Sequence, residues 1–319
     1  MGKVTQLLDT WQFRDGLLVG CIAVGVVLLI AAFLGQGGRP AIAGSASAAG
    51  VLVALQGFGP FRGALVLPNQ VLVAVAILGA GGLAVQLATA RREVHPALQF
   101  AAVLPGGAAL AYAFRDARPS WVPLALAAAA PVLTVAVNDL DVFHRRRAFG
   151  PAMILVTAMG IYVTVPDTEG SRVLVGALIP LIAVVLPRPA ATLGATGSAI
   201  LIGLLLSVTA IEGAPRPGAI VGGFASFGLL LMEPIARRVL PELKGRDGHD
   251  PQGYLRNTVV AVAFQSIVVA WTSRVAGLSV SAVRAGFIAA VGLLAALFLS
   301  PKLPRPPLPE RRGPRADRR

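Results

Sequence analysis

Apolar stretches of about 17 or more residues recur along the chain as far as residue 299, each long enough to cross a bilayer. Short polar turns separate them. In lipid, a continuous run of this kind satisfies its backbone groups only as a helix. A membrane β-barrel is excluded, because its strands would alternate apolar and polar residues and these runs do not. Only 13% of the 319 residues are charged and 55% are hydrophobic, with mean hydropathy +0.75. A soluble domain carries roughly a quarter charged residues, so this composition cannot coat a water-facing surface. The expected fold is all-α: a polytopic integral membrane protein with short loops and no soluble domain.

Eleven spans are expected, at about 17–34, 41–57, 63–88, 96–114, 120–137, 149–165, 172–186, 191–211, 218–235, 257–273 and 281–299. The stretch 41–57 begins with small residues, so a buried span and a re-entrant segment both fit it; the latter leaves ten spans. Residues 1–16 mix Leu7, Leu8, Trp11 and Phe13 with polar partners and suit an interfacial segment lying against the membrane. The run that follows is longer than a secretory signal core of roughly 7–15 residues, so the segment is read as retained. Residues 17–299 form one transmembrane domain. The tail 300–319 is rich in proline and then arginine, and is expected to be extended.

The net charge of +13 does not point to nucleic acid, because Lys and Arg sit in turns beside apolar runs, where they orient the protein and meet anionic headgroups. Placing the loop 237–256 and the tail in the cytoplasm puts roughly two thirds of the 28 Lys and Arg on that side. Eleven spans then put the N-terminus outside, in the plasma membrane. Tyr112, Trp121, Tyr162 and Trp271 would fall at the outer interface, as an aromatic belt. The tail would touch anionic headgroups or dock a cytoplasmic partner.

Few residues are placed to do chemistry. The turn Pro166-Asp167-Thr168-Glu169-Gly170-Ser171-Arg172 is the most compact acidic cluster in a basic chain. Asp167 and Glu169 suit a divalent cation with a substrate phosphate, or an acid and base pair; equally they suit a plain turn with Arg172 as counter-ion. An echo of this hairpin lies 45 residues on. There Val208-Thr209 match Val163-Thr164, Glu212 matches Asp167, and Arg216 falls near the match of Arg172. Glu233, beside Pro234, is either a coupling carboxylate within a span or one half of a helix-end ion pair with Arg237. Gln265 and Ser266 suit an interhelical hydrogen bond or a ligand contact. Asn138-Asp139-Leu140-Asp141 is expected to open the polar loop that carries Arg145, Arg146 and Arg147.

The sequence contains no phosphate-binding loop, no zinc-binding His-Glu-x-x-His, no Gly-x-Ser-x-Gly elbow and no Cys-x-x-Cys. Neither cofactor nor metal is expected, and Cys21 stands as a small hydrophobe. The layout resembles that of several carrier and permease families, a likeness of size and helix number only. It implies a carrier of a small or lipid-linked solute. A membrane-embedded enzyme acting on a lipid-linked substrate at the outer face, and a non-catalytic subunit, are the alternatives.

Overall fold

The computed structural model describes residues 7, 10–33, 67–89, 94–143, 149–165, 169–185, 193–214, 217–228, 230, 231 and 271. Among these every regular element is a helix: α1 (Trp11–Phe33), α2 (Asn69–Thr89), α3 (Pro96–Ala113), α4 (Val122–Phe143), α5 (Phe149–Thr164), α6 (Glu169–Val185), α7 (Gly194–Gly213) and α8 (Pro217–Ser226). By length and composition α2, α3 and α7 are able to cross a membrane. The described part is that of a helical membrane protein.

Three helices start or end away from the expected boundaries; one of them, α2, begins at Asn69, later than the expected residue 63. The first begins at Trp11, so the expected interfacial segment overlaps its first turns. Gln12 and Phe13 are buried there. The fourth extends to Phe143, so Asn138 to Asp141 lie on a helix and do not open a loop. The cause is a buried amide pair: Asn138 Nδ2 donates to Gln99 Oε1 of α3 at 2.8 Å, and Gln99 Nε2 donates to the Val94 carbonyl at 3.0 Å. That pairing makes a polar residue acceptable inside the packed end of a helix.

Glycines bring the helices together backbone to backbone. On α1, a Cβ at Gly16 or Gly20 would lie 2.9 Å from the Cα of Val173 or Ala177. Gln12 meets Glu169 with the same sequence offset of 157, so α1 and α6 run parallel, in register, along a Gly-x-x-x-Gly seam. Between α2 and α7 the arrangement is antiparallel. Gly82 abuts Ala195, Gly79 abuts Ile200, and Gly203 abuts Val75 and Leu78. In α3, Gly106 sits on Leu78 of α2 and Gly107 on Ala127 and Pro131 of α4. Small residues suit a lipid medium, where association depends on close van der Waals contact.

The core helix is α7. Nearly all of its residues are buried, and it packs on α2, α3, α4, α5, α6 and α8. Large apolar side chains are exposed on the other helices: Leu18 and Ile22 on α1, Val73 and Leu87 on α2, Leu98 on α3 and Leu124 on α4. Of the residues expected to form an aromatic belt, Tyr112 and Trp271 are exposed. Tyr162 is 6% exposed, and the Arg172 guanidinium lies over its ring at 5.6 Å. Trp121 packs edge-on to Phe224 of α8, with ring centroids 6.1 Å apart.

The contacts also fix directions. The starts of α1, α2 and α6 and the end of α7 share one end of the bundle. The ends of α1 and α2 share the other. Residues 34–66, including the expected run 41–57, lie outside the described residues.

Candidate functional site

The acidic hairpin turn and its echo meet in space at one end of the bundle. The first turn of α6 presents backbone N–H groups that no residue of its own helix can accept. Glu212, from the last turn of α7, supplies an acceptor: its Oε1 takes the Gly170 N–H in a short hydrogen bond. A carboxylate suits this place because the aligned peptide dipoles leave a partial positive charge there, an interaction typically of about 0.3–1 kcal/mol and up to about 2 when partly buried. Glu169 begins the same helix. Its side chain is exposed, and its Oε1 accepts a hydrogen bond from the buried Gln12 Nε2 of α1 at 3.3 Å.

Arg172 lies nearly one turn further along α6. Its guanidinium faces the Tyr162 ring, and among the described residues no salt bridge joins it to Glu212. Arg172 Nε and Glu212 Oε2 are both buried and both lack a hydrogen-bond partner. In an apolar bundle such a group costs about 1–3 kcal/mol. The third unpartnered atom of this kind is Ser198 Oγ, also on α7, in a side chain with no exposed surface. At about 100° per residue, Ser198, Thr209 and Glu212 fall on one face of α7, over a rise of about 21 Å. The Thr209 hydroxyl donates to the Leu205 carbonyl at 2.8 Å.

The opposite end of α7 is capped in a contrasting way. Gln86 of α2 reaches across, and its Oε1 accepts both the Thr196 N–H at 3.3 Å and the Thr196 hydroxyl at 2.9 Å. Gly194 permits the approach, with φ +65° and no Cβ to meet the Gln86 amide. Near that end an apolar cavity of about 390 Å³ opens between α2 and α3, lined by Ala84, Val85, Ala88, Val94, His95, Leu98 and Ala102.

Of the residues singled out from the sequence, Glu169, Arg172 and Glu212 come together. Asp167, Glu233 and Gln265 lie outside the described residues. Gln12, Tyr162, Ser198 and Gln86 have parts that the sequence did not reveal. The echo matched Glu212 with Asp167; the structure brings Glu212 to Gly170, and α7 runs about one turn beyond the position matching the end of α5, which puts Glu212 on a helix. Ser198 carried a signal that was available: counted in helical steps, it falls on the same face as Glu212. Comparison with known protein families and with characterised proteins finds no match.

Proposed function

We propose that the chain is a multi-pass carrier of the permease or flippase kind, moving a small or lipid-linked solute past the polar face of α7. The observation behind this reading is that the two unpartnered buried polar atoms of α7, Ser198 Oγ and Glu212 Oε2, share one face and lie about 21 Å apart along the helix. A helix kept only for packing has no reason to hold them; polar groups within a membrane bundle usually face one another or a solute route. Glycine seams on α7 give flat surfaces over which neighbouring helices can slide by small shear steps.

Eleven spans with a cytoplasmic C-terminus in the plasma membrane belong to the same proposal. The shared direction of α1 and α2 supports a crossing between them at 41–57 over a re-entrant segment. Basic loops and the tail would meet anionic headgroups.

The test uses single cysteines in a Cys21→Ala background, probed with a membrane-impermeant maleimide in right-side-out and inverted vesicles. Thr209→Cys should react from the carboxylate end, Ser198→Cys from the other, and the exposed Ala214→Cys serves as control. If both buried positions resist labelling from both sides while Ala214→Cys reacts, no route runs along α7. The convergence of Glu169, Glu212 and Arg172 favours a second reading, an enzyme working at the outer face on a lipid-linked substrate. Labelling of Thr209→Cys alone would support that reading.

A further inference from the structure

The geometry points to Glu212 as an exchangeable latch at the carboxylate end: held by the Gly170 N–H it ties α7 to α6, and released it pairs with Arg172 and lets that end open. This rests on the carrier reading. The first support is the contrast between the two ends of the bundle. Gln86 caps the start of α7 with a neutral amide, using one oxygen for two donors. A structural cap therefore needs no charge, yet α6 receives an ionisable one.

The second support is unused capacity. Glu212 engages one oxygen and leaves Oε2 buried and unpartnered, while Arg172 leaves Nε in the same condition. Opposite charges in one cluster, each with a free valence and neither bonded to the other, are arranged to exchange partners. The third support is mechanical. The α6 helix is joined to α1 along the whole Gly16–Gly20 seam and by the Gln12 to Glu169 hydrogen bond, and it packs far less extensively on α7. Releasing Glu212 from the Gly170 and Ser171 backbone N–H groups thus removes the polar tie between the α1–α6 pair and the core helix.

Labelling of Thr209→Cys from the carboxylate end measures the open fraction. Glu212→Gln keeps an acceptor for Gly170 and removes the charge that the helix start favours. Arg172→Gln removes the partner of the released carboxylate, and labelling should fall. Glu212→Gln in that background, where no partner awaits the released side chain, isolates the closed state: labelling should rise about tenfold over Arg172→Gln alone, the factor expected for loss of a partly buried charge–dipole contact. Equal rates in Arg172→Gln, the double variant and the parent would reduce Glu212 to a structural cap and overturn the latch. The Ala214→Cys control and monodisperse elution establish that each variant is folded. If Ser198→Cys reacts while neither Arg172→Gln nor the double variant changes the labelling of Thr209→Cys, the latch alone fails. If neither buried cysteine reacts in any protein, the carrier reading fails with it.

Discussion

Adding one methyl group at three glycines of α1 should have opposite effects, because the helix has a seam side and an open side. At Gly20 a Cβ would stand 2.9 Å from the Ala177 Cα and 3.0 Å from its carbonyl carbon. Carbon atoms in good contact sit about 3.5–4.0 Å apart, and the Ala177 carbonyl oxygen lies nearer still, so the α1–α6 seam must open by at least about 0.6–1.1 Å. The obstacle is backbone, which cannot swing aside as a side chain can. Overpacking of this size costs about 1–3 kcal/mol. Gly16→Ala meets the Val173 backbone in the same way. Gly25 has nothing within 4 Å of where its Cβ would be, so Gly25→Ala should be neutral or stabilise by up to about 1 kcal/mol, the usual gain over glycine in a helix interior. The Gly16→Ala, Gly20→Ala double variant should cost less than the sum of the two, because one opening of the seam accommodates both methyl groups. Stability is read from SDS titration of helicity in mixed micelles. Equal shifts for Gly20→Ala and Gly25→Ala would refute the parallel seam, and with it the placement of Gln12 beside Glu169.

Two further predictions concern the polar contacts between helices. Gly194→Ala forces an L-residue into a left-handed backbone (φ +65°) and should destabilise by about 1–2 kcal/mol, with Gln86→Ala partly masking the effect by removing the amide that the new methyl would meet; SDS titration of the single and double variants checks this. A double-mutant cycle of Gln99→Leu and Asn138→Leu should return a coupling of about 0.6 kcal/mol, and no more than about 1.7, as for interhelical hydrogen bonds within bilayers; zero coupling would mean that the 2.8 Å contact does not hold α3 to α4.

Among the described residues, helix positions were legible because lipid leaves the backbone no alternative, and the apolar runs therefore announce themselves. Their ends were less legible. Asn138 looks like an exit to water until Gln99 is seen opposite it, and Gln12 looks like a residue of a surface segment until Glu169 is seen beside it. Tyr162 shows the same limit: an aromatic near a span end is visible in the sequence, while its burial beside Arg172 depends on which helices touch.

The candidate site divides in the same way. An acidic turn in a basic chain and its echo at Glu212 were visible as one-dimensional facts, since charge in a membrane chain is scarce enough to stand out. That Glu212 crosses to the start of α6, that its second oxygen and Arg172 Nε both go without a partner, and that Ser198 has no partner either depend on which helices touch. Composition and run length by themselves determined a helical chain made for lipid, because those properties act locally along the backbone. The glycine seams, the parallel pairing of α1 with α6 and the enclosure of α7 were decided by tertiary structure alone: in lipid, helices associate by close fit and not by hydrophobic pattern, and fit is a property of two surfaces that neither sequence segment contains.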